Sequence, residues 1–369
     1  MAEPIRVAQM MTDMNYGGVE MVVMNYYRHI DRTKVQFDFF ALEGSAIPQR
    51  EEIEQLGGRV YIVPKYTHLL AYEKEIIRLF KQNQYKIVHS HMNTLSVFPL
   101  FAAWMCRIPV RVAHNHSVPS GKEKKRDALK YFLRAFAKFF PTHYFACSEK
   151  AGRWMWGDRC YDQGKVFVLN NAIDFRRFLK QDKEAQKLKK SLNLDGKLVI
   201  AHIGRFTSAK NHKFLIQVFK EIISINENAV LLLVGDGELH NDICRWVEDA
   251  GLTQNVVFVG QVSNPEKYYQ VADVVTLPSI FEGLPLTVIE SQVAGVPVVV
   301  STVVPEEAII SDGCVRLELS DPNWANQILA MAGKTVVLDK RSENYNIKYA
   351  VKKLENWYED RVKECQTFQ

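Results

Sequence analysis

The sequence predicts an α/β protein of two Rossmann-like domains. Short β-branched runs recur in two successive series, amphipathic helical stretches lie between them, and the runs are apolar on both faces. Strands apolar on both faces that alternate with helices belong to parallel sheets covered on both sides. A length of 369 residues suits two domains at roughly 150 residues each.

In the first half the expected strands are IRVAQMM (5–11), FDFFAL (37–42), RVYIV (59–63), KIVHSH (86–91), VRVAHNH (110–116) and HYFACS (143–148). In the second half they are LVIAHIG (198–204), AVLLLVG (229–235), NVVFVG (255–260), VVTLPS (274–279) and VPVVVS (296–301). EMVVMNYYRHI (20–30) and KFLIQVFKEIISI (213–225) carry the apolar spacing of amphipathic helices. Strand signals lapse in the lysine-rich stretch 180–197, which places the join there, between domains at 1–180 and 196–344. A last amphipathic stretch, 345–362, follows a polar segment and can pack on either domain.

Composition narrows the function classes. Hydrophobic residues make up 47% and charged residues 24%, the balance of an ordinary globular chain. The longest apolar runs, such as VFPLFAAWMC (97–106), stop short of the ~18 residues that span a bilayer. The N-terminus lacks the pattern of a secretory signal, so a cytoplasmic location is expected. Six scattered cysteines without any CxxC exclude a zinc ribbon or a disulfide scaffold and favour reduced thiols. A net charge of +5 is too mild to argue for nucleic acid.

The most informative segment is PSIFEGLPLTVIESQVAGVPVVVS (278–301), which reads as strand end, loop, helix and strand. Pro285 suits the first turn of that helix, and Gly295 with Pro297 marks its end. The amides of Leu286, Thr287 and Val288 are then unpaired donors at a positive helix end, a seat for a diphosphate. Glu282 precedes the seat and Glu290 follows it, so hydroxyl groups on both sides of a nucleotide-sugar could be held. The alternative is two solvated carboxylates on an ordinary helix start. In IGRFTSAKNH (203–212) a strand ends at Gly204, and Arg205 and Lys210 follow in the loop, placed to neutralise a diphosphate leaving group. The alternative is again solvated loop charge.

Weaker signals surround these. VGDGEL (234–239) fails as a dinucleotide fingerprint because His240 takes the third glycine position, so Gly235 reads as a tight turn near the base or ribose, or as purely structural. Gly17 and Gly18 precede a helix and let backbone approach a ligand, or form a plain turn. His89/His91 and His114/His116 each share one strand face. They could hold zinc, line a cleft and handle a hydroxyl proton or a phosphate, or be packed and hydrogen-bonded. No cysteine or carboxylate accompanies them and no Asp-x-Asp occurs, so no metal or cofactor is expected. Within 118–143, residues 121–140 carry seven Lys or Arg against two acids, interleaved with Leu, Phe and Tyr. That pattern suits a helix on an anionic membrane surface, or a domain helix with a solvated basic face.

Taken together, YGGVE (16–20), VHSHMNT (88–94), RVAHNHS (111–117), FACSEKAG (145–152), VLNNAIDFRRF (168–178), HIGRFTSAKNH (202–212), VGDGEL (234–239) and FEGLPLTVIE (281–290) resemble the retaining glycosyltransferases of family four. The closest in character are the bacterial enzymes that build capsular and exopolysaccharides. The resemblance implies the GT-B fold, two Rossmann-like domains facing each other across a cleft, with the C-terminal helix 345–369 packing back on the first. It implies a nucleotide-sugar donor, expected to be a UDP-sugar, held mainly by the second domain. Arg205 and Lys210 would contact the diphosphate and Glu290 the ribose. Glu282 with the backbone of Phe281, Gly283 and Leu284 would hold the sugar, and Gly17 and Gly18 would close over the phosphates. His114 or His116 would stand at the reaction centre.

Two departures are visible. Asn171-Ala172 stands where the family often has Asn-Gly, and STVVPEEA (301–308) where it often has Gly-Gly. The expected reaction is retaining hexosyl or N-acetylhexosaminyl transfer to a saccharide in surface polysaccharide synthesis. The basic 118–143 segment points to a lipid-linked acceptor at the inner face of the plasma membrane, with a soluble acceptor as the alternative. Other readings are a GT-B epimerase or phosphorylase, or a non-catalytic nucleotide-sugar binding protein.

Overall fold

The computed structural model describes residues 3–12, 14–15, 18–118, 124–179 and 182–367. The chain divides into two compact units, Met1–Ile173 with Asn344–Gln369, and Asp174–Glu343.

The first unit is a parallel sheet of β1 (Ile5–Met10), β2 (Val35–Leu42), β3 (Arg59–Val63), β4 (Ile87–Ser90), β5 (Val110–Asn115), β6 (His143–Ala146) and β7 (Val166–Val168), in the order β3-β2-β1-β4-β5-β6-β7. VQFDFFAL of β2 is buried at every position, as both-face apolar patterning requires. The last strand, VFV, is too short for its pattern to stand out in the sequence. The second unit repeats the plan with β8 (Leu198–Ile203), β9 (Ala229–Val234), β10 (Val256–Gly260), β11 (Val274–Leu277), β12 (Val298–Ser301) and β13 (Cys314–Leu317), in the order β10-β9-β8-β11-β12-β13. Its edge strand CVRL is half-buried throughout and carries an arginine, so it too lacks an apolar signature.

Strand order reverses between β1 and β4 in one sheet, and between β8 and β11 in the other. Loops leaving such a pair diverge, and the opening at the carboxyl ends of the strands is where ligands bind in open α/β sheets. Gly204–Lys210 leaves β8 and Ser279–Pro285 leaves β11, while His89 and His91 stand at the end of β4. Each sheet therefore carries its chemically marked residues at its own reversal point.

The boundary between units falls at Ile173/Asp174, ahead of the 180–197 stretch where the sequence suggested it. Residues Asp182–Ser191 form a helix of the second unit that buries only Ala185, which is why it reads as linker. The C-terminal helix, Ile347–Thr367, belongs to the first unit. Leu354 and Tyr358 are buried there, and Trp357 meets Phe145 with ring centroids 4.8 Å apart. Glu355, also buried, accepts from the Asp31 amide at 2.5 Å and from Lys352 Nζ at 2.6 Å. Each fully buried large apolar side chain contributes about 1.5–3 kcal/mol, so this docking anchors the returning helix.

Candidate functional site

In the second unit the loops after β8 and β11 meet through one ion pair. Lys210 Nζ lies 2.7 Å from Glu282 Oε1, and the Ser279 hydroxyl donates to the same oxygen at 2.6 Å. Ser301 Oγ holds Ser279 in turn by donating to its carbonyl at 2.6 Å. Glu282 is buried, so it is not the solvated charge that a helix-start carboxylate could have been. Arg205 is exposed in the same loop as Lys210. A Cβ on Gly204 would come within 3.4 Å of Lys210 Cε, which shows that the lysine stem lies against this glycine.

The Gly235 turn has a packing reason. Its φ is +140°, and a Cβ there would stand 2.0 Å from the Gly204 carbonyl oxygen. No side chain fits, so the VGDG turn closes directly on the loop that carries Arg205.

The helix Leu286–Val293 opens beside Glu282. Pro285 is extended (φ −74°, ψ 110°) and caps the helix rather than entering its first turn. Its carbonyl accepts the Val288 amide at 3.1 Å, which removes one of the three expected free donors. The Leu286 and Thr287 amides stay at the open, positive end. Thr287 Oγ1 donates to the Ile203 carbonyl at 3.1 Å and ties the helix start to β8. Further in, Tyr269 donates to Glu290 Oε2 at 2.7 Å. Burial pushes the Glu290 carboxyl above its ordinary value, and the phenol offsets part of that shift. Phe281 and Leu284 are half-buried and Gly283 is exposed on the connecting loop.

In the first unit the four strand-end histidines form one cluster. His89 Nδ1 meets the Tyr358 hydroxyl at 2.6 Å, and His89 Nε2 meets His114 Nδ1 at 3.1 Å. His91 Nε2 meets Gln9 Oε1 at 2.8 Å, and His91 Nδ1 meets His116 Nε2 at 2.9 Å. Burial pushes all four far below the ordinary imidazole range, to about 3 for His116, so the cluster is neutral at physiological pH. The His114 and His116 rings stand 3.9 Å apart.

His89, His91 and His114 bring ring nitrogens within 4.8 Å of one another. The His89 and His91 rings stack 4.3 Å apart at 19°, so their in-plane lone pairs run side by side instead of converging. Tetrahedral coordination at about 2.0–2.1 Å would need the rings to leave their present hydrogen bonds.

Gly18 begins the first helix, and a Cβ there meets nothing within 4 Å; Gly17 lies outside the described residues. The basic segment is described from Lys124 onward, as a helix to Arg134 followed by turns to Phe139. Its inner side buries Asp127, Leu133 and Ala137. Its outer side carries Leu129, Phe132, Phe136 and Phe139, the last 69% exposed. These follow helical spacing and form a ridge, with Phe132 and Phe136 ring centroids 5.3 Å apart. An apolar stripe turned to solvent and flanked by Lys130, Arg134 and Lys138 differs from a domain helix with only a solvated basic face.

Reasoning from sequence alone missed Tyr269, Ser279, Gln9 and Tyr358. Tyr269, Gln9 and Tyr358 are each distant in sequence from their partners, so no local signal marks them; Ser279 stands three residues before Glu282 inside the 278–301 segment and was readable there.

Family models match both halves: Glycosyltransferase Family 4 over residues 16–177 and Glycosyl transferases group 1 over residues 183–354. EpsF of Bacillus subtilis, named as a glycosyltransferase, is 32% identical over 89% of this chain and 88% of its own length. The UDP-Gal:alpha-D-GlcNAc-diphosphoundecaprenol alpha-1,3-galactosyltransferase of Escherichia coli is 24% identical over 97% of both chains. CapH of Staphylococcus aureus, a capsular polysaccharide biosynthesis glycosyltransferase, is 24% identical over 93% of both. Among solved structures, Anabaena Alr3699/HepE in complex with UDP and glucose superposes with a TM-score of 0.78, at 16% identity over 96% of this chain and 100% of that one.

Proposed function

The chain belongs to the glycosyltransferases built from a family 4 half and a group 1 half, with the GT-B fold, and on that premise we propose its reaction. It moves a sugar from a UDP-sugar, with retention, to a lipid-linked saccharide in capsular or exopolysaccharide synthesis. The observation that carries this reading is the Lys210–Glu282 pair beside the open end of helix Leu286–Val293, with Arg205 exposed in the same loop. The cations and helix end stabilise the departing diphosphate, Glu282 and the 281–284 loop orient the sugar, and Glu290 takes the ribose.

Both carboxylates are already engaged, Glu282 by Lys210 and Ser279 and Glu290 by Tyr269. Neither is a free nucleophile or base, which supports same-face displacement. The C1–O bond to the diphosphate breaks, the acceptor oxygen bonds to C1, and the acceptor proton passes to a diphosphate oxygen. The leaving group is neutralised by protein cations, so the transfer proceeds without a metal ion.

Incubation with UDP-glucose, UDP-galactose or UDP-N-acetylglucosamine, with and without an undecaprenyl-diphosphate saccharide, tests this reading. Release of UDP should depend on the acceptor and persist in EDTA. A donor altered to its epimer in the absence of acceptor would show an epimerase instead.

The 129–139 ridge seats the enzyme on an anionic bilayer, where a lipid-linked acceptor is found. No helix among the described residues is long and apolar enough to cross a membrane, and the reading is peripheral attachment at the cytoplasmic face. Aromatics bury at the headgroup boundary while the flanking bases meet anionic lipid, at about 1 kcal/mol per base. The protein should float with phosphatidylglycerol liposomes at low salt and less with pure phosphatidylcholine. Phe132→Ser with Phe136→Ser should reduce flotation at least about tenfold, the effect of losing a kilocalorie or more of apolar burial. Equal flotation of the double variant would remove the ridge from the account.

A further inference from the structure

Tyr269 ends the short helix Glu266–Tyr269, and its side chain is wholly buried. A phenol has one proton to give, and this one goes to Glu290 Oε2 at 2.7 Å. The ring packs against Phe178 of the turn Phe175–Phe178, with centroids 5.9 Å apart. Packing fixes the ring, so the phenol reaches the carboxylate from one side only. The other oxygen, Glu290 Oε1, makes no hydrogen bond among the described residues and is not sealed from solvent.

Side chains of an α-helix lean toward its N-terminus. Glu290 is the fifth residue of the helix Leu286–Val293, so its carboxylate stands on the side of the open end that carries the Leu286 and Thr287 amides. One helix therefore presents both an anion seat and a half-engaged carboxylate.

The charge of that carboxylate is contested. Burial favours the neutral acid, and the hydrogen bond from Tyr269 favours the ion. Two further charges face it from neighbouring elements. Arg177, on the turn, favours the ion, and Glu266, on the short helix, opposes it. They are joined to each other, Arg177 Nη2 lying 2.9 Å from Glu266 Oε1. The phenol stays protonated, because burial and then the Glu290 charge hold it well above its ordinary range. A hydroxyl donates more strongly to an ionised carboxylate than to a neutral acid.

We propose that Tyr269 is a positioning residue of the nucleotide site: its phenol pins one oxygen of Glu290 and leaves the other to accept from a ribose hydroxyl of a nucleoside diphosphate. The inference rests on Glu290 facing the ribose, and it adds the residue that makes Glu290 a one-oxygen acceptor. Discrimination of ribose from deoxyribose then depends on a side chain that touches no ligand.

Calorimetric titration with UDP and with dideoxyuridine diphosphate, which lacks both ribose hydroxyls, tests this without any sugar transfer. The ratio of the two affinities isolates the hydroxyls, because the diphosphate and its own titration are common to both. Wild type should prefer UDP by about tenfold or more, the effect of a hydrogen bond to a charged group. In Tyr269→Phe the preference at neutral pH should shrink to about threefold or less, while affinity for the dideoxy nucleotide holds. Followed from about pH 6 to 9, the ratio rises as Glu290 ionises, and its midpoint should lie higher in Tyr269→Phe because the ion has lost its donor. A purely structural loss would lower both affinities together and leave the midpoint in place. Ring-fluorinated tyrosine at position 269 strengthens the donor and should move the midpoint down, which keeps the test open if Tyr269→Phe does not fold. Glu290→Gln should show a small ratio at every pH. The same nucleotide pair with guanine in place of uracil carries the test if UDP does not bind.

Equal binding of both nucleotides by wild type would take Glu290 off the ribose, and the proposal with it. A preference that vanishes in Glu290→Gln but survives in Tyr269→Phe, with an unmoved midpoint, would leave Glu290 on the ribose and overturn the role of Tyr269.

Discussion

Replacing Lys210 by alanine should lower kcat about 10²–10³-fold, the usual cost of removing one preorganised charge from a developing anion. KM for the nucleotide-sugar should change much less, because the charge on the leaving group grows only as the bond to C1 breaks. The lysine is held for this task by Gly204 beneath its stem and Glu282 at its head. Its removal also strands a buried carboxylate, and breaking a buried pair by removing one partner destabilises by about 3–5 kcal/mol. The double variant Lys210→Met, Glu282→Gln removes both charges and isolates the stability effect, since Glu282 also orients the sugar. Thermal stability should return toward wild type in the double variant while turnover stays low. Arg205→Ala is the complementary test, since that side chain is exposed and its loss leaves folding intact. Wild-type turnover in folded Lys210→Ala would take the lysine out of the leaving-group role.

Acid should unfold the first unit well before the carboxylates titrate. His89, His91, His114 and His116 have folded pKa values far below the ordinary value near 6.5, so the unfolded chain binds more protons once pH falls under about 6.5. The stability they allow is complete above that pH and is lost as pH falls toward the folded values, about 3 for His116. Each ring removes about 1.4 kcal/mol per pH unit across that window. Four such rings in one unit withdraw stability together as pH falls through that window. The second unit holds two buried histidines, His202 and His212, and should lose less. Denaturant titrations at pH 7.5, 6 and 5, read by hydrogen exchange in each unit, should show the first unit failing first. Equal stability at pH 7.5 and 5 would mean that the cluster accepts protons without unfolding.

The legible parts of this chain were those whose signal is local. Strands such as AVLLLV and FDFFAL declare themselves because both faces are buried. VFV and CVRL do not, being short or half-buried at an edge. The join was misplaced because two crossings lie side by side, Ile173 bridging to Asn346, and pairing over such a distance leaves no local trace. Arg205, Lys210, Glu282 and Glu290 were readable as motif residues, but not the fact that Lys210 reaches Glu282 across 72 positions. Charge and aromatic content in 118–143 were equally visible. Which side of that helix faces water was not, since an apolar stripe packs inward as readily as it faces out. Gln9 and Tyr358, 349 positions apart, meet only because the last helix returns to the first unit.

The central claim is transfer from a UDP-sugar with retention, and the anomeric configuration of the first product bond tests it most directly. The enzyme is incubated with an α-linked UDP-sugar and an undecaprenyl-diphosphate saccharide, and the new linkage is read by proton NMR before any secondary reaction. An α-linkage formed in step with UDP release is the predicted result. A β-linkage, or consumption of the donor without a new glycosidic bond, would contradict it.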